Sequence, residues 1–293
     1  MGGPGAHHVR LRDPLSGAAV SPGRSRGLEG RVALVTGAGG GIGRGIARCL
    51  AEEGMALALA DVVPAGAEAA AAEIEGGGGR AVALGLDVTR AGECRSAVEE
   101  VRSRLGGLHV VVNNAGVIGS PNLKLGLPLA DLTEEDWDAA YAVNVKGVFL
   151  LCQAALPHLQ AQRWGRIINI SSRAGRDGRE TIPHYSASKA AVIIFSQALA
   201  REAAPHGVTV NAVCPGLIWS PMWERLAQLY RGKLPGLAGL SPREVFDHFV
   251  AQTPLRREQT PEDVGRAVAF LASEDARTIT GQALLVDSGA VMH

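Results

Sequence analysis

From Arg31 onward, short apolar runs alternate with longer stretches of helical periodicity. Val32 to Thr36, Ala56 to Asp61, Ala81 to Asp87, Leu108 to Asn113, Arg166 to Ser171, Val208 to Cys214 and Ala283 to Asp287 read as strands. Runs this short and this rich in Val, Ile, Leu and Ala suit a sheet covered on both faces. Between them, Ile42 to Glu53, Ala65 to Ile74, Ala91 to Leu105, Thr133 to Leu156, Tyr185 to Ala204 and Pro261 to Ser273 read as helices. Such alternation implies right-handed βαβ units and a parallel sheet, so the fold class is α/β, one doubly wound Rossmann-type domain over residues 29–293. Residues Trp223 to Thr253 break the alternation and read as a less regular insertion. Insertions at strand ends of such sheets commonly serve as lids, and 217–253 is assigned that role.

The first 28 residues, Met1 to Leu28, are rich in Gly, Pro, Arg and Ser and have no apolar run, so they are expected to be a disordered tail rather than a secretory signal or membrane span. Arg10, Arg12, Arg24 and Arg26 leave an organelle-targeting segment as the lesser alternative. Formal net charge is zero, with 29 basic and 29 acidic residues among 293, which argues against nucleic acid as a partner. Cys49, Cys94, Cys152 and Cys214 are widely spaced, with neither a Cys-x-x-Cys pair nor a companion His cluster. Reduced thiols in a cytoplasmic protein, with no metal site and no membrane association, are expected.

Candidate chemistry begins at Thr36-Gly37-Ala38-Gly39-Gly40-Gly41-Ile42-Gly43, which follows the first strand and opens the first helix. Backbone can approach a pyrophosphate only where side chains are missing, and a helix start offers unpaired N–H groups. The spacing departs from the common Gly-x-Gly-x-x-Gly fingerprint, since Ile42 takes the last glycine's place. Asp61 closes the second strand, where a carboxylate accepts from both ribose hydroxyls of an adenosine and repels a 2′-phosphate. NAD is therefore expected over NADP.

Farther along, Ser172 precedes Tyr185-Ser186-Ala187-Ser188-Lys189. Residues four apart share a helix face, so Lys189 falls beside Tyr185. An ammonium favours a phenolate, and moving a phenol from about 10 towards 7 takes roughly 4 kcal/mol of differential interaction. Such a phenol exchanges protons with an alcohol or carbonyl near neutral pH.

Taken in order, Thr36-Gly37-x-x-x-Gly41-Ile42-Gly43, Asp87-Val88, Asn113-Asn114-Ala115-Gly116, Asn144-Val145, Ser172 with Tyr185-x-x-x-Lys189, and Pro215-Gly216 resemble the classical short-chain dehydrogenase/reductase family from about Leu28 to the C-terminus. The resemblance implies a seven-stranded parallel sheet of order 3-2-1-4-5-6-7. It also implies an oxidoreductase interconverting a secondary alcohol and a ketone, with Tyr185 as general acid/base. Lys189 would lower the Tyr185 pKa and bind the nicotinamide ribose, Ser172 would hold the substrate oxygen, and Asn144 would hold a water linking Lys189 to solvent. Gly37, Gly41, Ile42 and Gly43 would meet the pyrophosphate; Asp61, Asp87, Val88, Asn114, Ala115 and Gly116 the adenosine side; Pro215, Gly216, Ile218 and Ser220 the nicotinamide. A homotetramer is a further family expectation.

Twelve residues separate Ser172 from Tyr185 and include Arg173, Arg176 and Arg179. They either bind an anionic substrate or lie solvated, the preferred reading for a charge run. His184 either contacts substrate or packs beneath the loop; Trp219, Met222 and Trp223 open the lid. Pro221-Met222-Trp223 resembles the corresponding segment of polyol and diol dehydrogenases, which favours a small polyol, diol or hydroxyketone. NADPH-linked 3-oxoacyl-thioester reduction and a non-catalytic dinucleotide-sensing scaffold are the rival readings.

Overall fold

A computed structural model describes residues 26–123 and 129–292. Seven strands form one parallel sheet in the order β3-β2-β1-β4-β5-β6-β7. They are β1 (Val32–Thr36), β2 (Ala56–Asp61), β3 (Arg80–Gly85), β4 (Val110–Asn113), β5 (Gly165–Ile170), β6 (Val208–Pro215) and β7 (Ala283–Val286). Every residue of β1, β4, β5 and β6 is buried, which accounts for their richness in Val, Ile, Leu and Ala, while the buried Asn113, Asn169 and Asn211 are paired by hydrogen bonds.

Helices cover both faces. Ile46 and Leu50 of α1 (Gly41–Glu52), Ala70 and Ile74 of α2 (Pro64–Gly76), and Val264 and Val268 of α9 (Pro261–Ala272) pack on one side. Val98 and Val101 of α3 (Ala91–Leu105), Leu151 and Leu159 of α5 (Val148–Ala161), and Val192 and Leu199 of α6 (Pro183–Ala203) pack on the other. The two halves of the fold diverge between β1 and β4, whose carboxyl ends separate above a crevice, the usual ligand position in a doubly wound sheet.

Four sequence expectations need correction. Leu28 is 1% exposed and Arg26 pairs with Glu53 at 2.7 Å, so residues 26–28 belong to the folded domain; the rest of the expected tail lies outside the described residues. Strand β3 stops at Gly85, because the Asp87 side chain folds back to accept from Thr89 N at 2.9 Å and makes a turn. The helix expected from Thr133 to Leu156 contains a π-turn at Ala142–Gly147, between α4 (Glu134–Tyr141) and α5. The insertion is not irregular: it holds α7 (Pro221–Lys233) and α8 (Pro242–Ala251), the latter started by a reciprocal cap between Ser241 and Glu244. By length and composition alone, Glu134–Ala161 could cross a membrane. In this fold it is a core helix, with Leu151, Cys152, Ala155 and Leu159 buried against the sheet.

Candidate active site

Between the ends of β1 and β4 lies a cleft of about 410 Å³. Gly37 has φ +61°, and a side chain there would meet the Ala115 backbone at 2.9 Å. At Gly43 a Cβ would lie 2.3 Å from the Gly37 carbonyl, whereas the space over Gly41 is open. Glycine thus serves two purposes: it lets the turn close on itself and leaves the α1 N-terminus bare. Gly40 caps that helix without a side-chain hydrogen bond, so the first-turn N–H groups face the cleft. Asn114 secures the opposite wall by donating to Thr36 O at 2.9 Å and Gly37 O at 3.1 Å. The Thr36 hydroxyl accepts in return from the N–H groups of Asn114 and Ala115, both at 3.1 Å.

Asp61 stands at the cleft's far end. Its two oxygens accept from Gly39 N and Val63 N, each at 2.9 Å, which fixes the carboxylate while leaving further lone pairs free. Asp87 and Val88 also line this end, and among the described residues no Lys or Arg does. A bare helix start, a side-chain-free loop and a fixed carboxylate fit a dinucleotide.

A second cavity, of about 220 Å³, adjoins the first and shares Ile42, Asn114, Gly116, Ile218, Ser220 and Met222 with it. Ser172, Tyr185 and Lys189 line it, along with Pro215 and Gly216. Ser172 follows β5, its hydroxyl accepting from Ala174 N at 3.1 Å and hydrogen-bonding the Tyr185 phenol. Tyr185 lies in the first turn of α6, where Pro183 fits because the N–H it lacks would be unpaired. Lys189, one turn on, donates to Ile170 O at 2.9 Å. Gly175 brings the Ser172 turn onto this helix, since a Cβ there would lie 2.7 Å from the Lys189 carbonyl carbon.

Asn144 lies in the π-turn, fully buried. Its side chain donates to Val117 O at 2.8 Å and Ser188 Oγ at 2.9 Å, and accepts from Val117 N at 2.9 Å. Ser188 Oγ in turn donates to Tyr185 O at 2.8 Å. The π-turn therefore ties the loop after β4 to α6. A side chain at Gly116 would lie 3.2 Å from both Asn144 Oδ1 and Lys189 Nζ, so the missing Cβ keeps a gap between them.

Electrostatics here differ from the expected mutual activation. Burial pushes the Tyr185 phenol up to about 12, with the Ser172 hydrogen bond pulling the other way, and lowers the Lys189 ammonium to about 8. Desolvation outweighs attraction because the ammonium lies over the ring, 5.8 Å from its centre, and spends a hydrogen bond on Ile170. In the chain alone Tyr185 holds its proton, the state suited to giving a proton to a carbonyl.

Three of the expected substrate residues, Arg173, Met222 and Trp223, line the second cavity beside Ser172. His184 does not: it is 1% exposed beneath the loop at Gly119, where burial lowers its pKa. Trp219 lines the dinucleotide cleft instead and packs edge-on against Phe246 at 5.2 Å. Sequence reasoning missed Ile182, Leu226, Tyr230 and Phe249, which complete the apolar wall. The signal lay in the insertion, where Trp223, Leu226 and Tyr230, and separately Phe246 and Phe249, recur at helical spacing.

A family model described as enoyl-(acyl carrier protein) reductase matches residues 37–291. The chain belongs to the classical short-chain dehydrogenases/reductases. This short-chain dehydrogenase is 41% identical over 267 residues to L-2,3-butanediol dehydrogenase from Corynebacterium glutamicum, covering 90% of this chain and 99% of that one. It is 36% identical over 265 residues to a 3-oxoacyl-acyl-carrier-protein reductase from Thermotoga maritima, covering 90% and 99%. Among solved structures, NAD+-bound xylitol dehydrogenase superposes with a TM-score of 0.83 at 33% identity, covering 89% of this chain and 99% of that one. The enzyme is an oxidoreductase that interconverts a secondary alcohol and a ketone with a nicotinamide dinucleotide.

Proposed function

We propose that this short-chain dehydrogenase is NAD-linked and acts on a small polyol, diol or hydroxyketone, with Asn144, Ser172, Tyr185 and Lys189 as its working residues. Asp61 carries the cofactor preference. A fixed carboxylate in a cleft that no described Lys or Arg lines accepts from ribose hydroxyls and repels a 2′-phosphate. When bound, the nicotinamide accepts or supplies the hydride.

The protein's own part is to move and hold protons. In reduction, Tyr185 donates its proton to the carbonyl oxygen while the Ser172 hydroxyl donates a hydrogen bond to that oxygen as charge gathers on it. In oxidation the phenol must first lose its proton, and Lys189 is the cation available to stabilise the phenolate. Asn144 shapes the gap at Gly116 through which a water would return the proton to solvent. The apolar wall formed by Ile182, Trp223, Leu226 and Phe249 excludes bulk water from the reacting oxygen.

NADPH-linked reduction of a 3-oxoacyl thioester is the second reading, favoured by the relative from Thermotoga maritima and opposed by Asp61. A non-catalytic scaffold would not need Ser172, Tyr185 and Lys189 gathered on one cavity with Asn144 fixed behind them. Calorimetric titration with NADH and NADPH tests the assignment. NADH should bind at least ten times more tightly, and tighter NADPH overturns it.

A homotetramer in the cytoplasm completes the proposal. Phe149 on α5 and Ile194 on α6 are 42% and 63% exposed, an unusual state for large apolar side chains on neighbouring helices. The four cysteines are free and buried, in keeping with a reducing compartment. Light scattering at micromolar concentration gives the oligomeric state directly, and a monomer would refute the tetramer.

A further inference from the structure

Arg173, Arg179 and Lys189 line the substrate cavity, and among the described residues no Asp or Glu does. Two of these cations are already engaged. Lys189 donates to Ile170 O at 2.9 Å, and Arg179 pairs with Asp177 at 2.6 Å. Arg173 is different: its side chain has no hydrogen bond or ion pair with a described residue. The carboxylates that act on it from a distance are Asp287 and Asp177. Asp287 is committed to the N–H groups of Gly289 and Val291 at 3.0 and 2.9 Å, and Asp177 to Arg179. Burial and the like charge of Arg179 push the Arg173 pKa down, and Asp287, Tyr230 and Asp177 oppose this only in part.

We propose that Arg173 is the specificity residue of this site and selects a carboxylate-bearing substrate, a hydroxy acid and its corresponding oxo acid. This rests on the NAD-linked alcohol/ketone reading above and, for the substrate, sets a hydroxy acid against the polyol, diol or hydroxyketone class. Arg173 directly follows Ser172, so the guanidinium takes the carboxylate while the neighbouring hydroxyl and Tyr185 hold the reacting oxygen. A guanidinium binds a carboxylate in bidentate fashion and gives both affinity and register. Tyr230, whose hydroxyl lies 3.3 Å from Thr181 Oγ1, adds a polar group to the same cavity. Ile182, Met222, Trp223, Leu226 and Phe249 make the rest of the wall apolar, which suits a hydrocarbon segment between the acid and the reacting carbon. One uncompensated positive charge matches one carboxylate; a phosphate monoester would bring nearly two negative charges.

The test measures NAD reduction with 3-hydroxybutanoate, 4-hydroxypentanoate and 5-hydroxyhexanoate, their methyl esters, and hydroxyalkyl phosphates of matched length. Wild-type enzyme should prefer the best acid over its ester by ~10-fold or more in kcat/KM, carried by KM. Arg173→Met should bring that ratio to about one, and Arg173→Lys should restore part of it. Esters or phosphates used as well as the acid by wild-type enzyme, or a preference that survives in Arg173→Met, overturns the proposal. Should nothing in the series be oxidised, and a diol and a polyol assayed beside it fail as well, the dehydrogenase reading of the preceding section fails on its own. Calorimetry of hexanoate with the NADH-loaded protein then decides the question for Arg173. Saturable binding lost in Arg173→Met supports it, and no binding by wild-type protein overturns it.

Discussion

Lys189 Nζ donates to the Ile170 carbonyl at 2.9 Å and stands 5.8 Å from the centre of the Tyr185 ring. The last residue of β5 thus holds the ammonium within the active site, near the phenol but not bonded to it. Burial lowers the lysine to about 8, against an ordinary value of 10.5. A lysine depressed this far makes the folded state less stable wherever it is protonated. The penalty is fully present below about pH 8, shrinks as pH rises and is gone above 10.5, where the unfolded chain also loses its proton.

Lys189→Met is therefore expected to stabilise the cofactor-free protein while abolishing turnover. The shift corresponds to a few kcal/mol. Loss of the hydrogen bond to Ile170 takes back about 1 kcal/mol, so a net gain of ~1–3 kcal/mol is expected at pH 7. Urea unfolding at pH 7 and pH 10 should show the gain shrinking at the higher pH.

Asp61→Ser should transfer cofactor preference. The serine removes the charge that repels a 2′-phosphate, and the NAD-over-NADP ratio in kcat/KM should fall by ~100-fold. Because Asp61 also accepts from Gly39 N and Val63 N, some affinity for both cofactors should be lost. The ratio, measured by initial rates with each cofactor, is the deciding quantity.

Gly175→Ala tests whether the spacing between the Ser172 turn and α6 matters. The added methyl would lie 2.7–2.9 Å from backbone atoms of Lys189 and Ala190, which cannot rotate away. Destabilisation of ~1–3 kcal/mol is expected. A fall in kcat of ~10-fold or more should accompany it as Ser172 shifts from Tyr185. Thermal unfolding and kcat with undiminished cofactor binding would separate this local effect from general unfolding.

Much of this was legible before the fold was known. Alternating apolar runs placed the strands that carry the site within a few residues, because strands buried on both faces are mostly apolar, as Val32–Thr36 is and as Val208–Pro215 is apart from Thr209 and Asn211. Gly37, Gly43 and Asp61 could be found because a phosphate loop and a ribose carboxylate sit at fixed places relative to a strand end. The lid helices were not found, since Trp223, Tyr230, Phe246 and Phe249 pack on one another rather than on the sheet, and their periodicity spans two short elements. Arg173 and His184 show the other limit. Each is adjacent in sequence to a catalytic residue, yet one lines the cavity and the other is buried beneath a loop, a difference set by backbone direction.

The most direct measurement is the rate of NADH formation by Tyr185→Phe, read alongside its NADH affinity. Phenylalanine fills the same space and removes only the hydroxyl that hydrogen-bonds Ser172. The account predicts NADH binding within about threefold of wild type and turnover reduced by ~10²–10⁴-fold, the usual contribution of a positioned acid/base. A variant that binds NADH normally and turns over at close to the wild-type rate would contradict Tyr185 as the proton donor and acceptor.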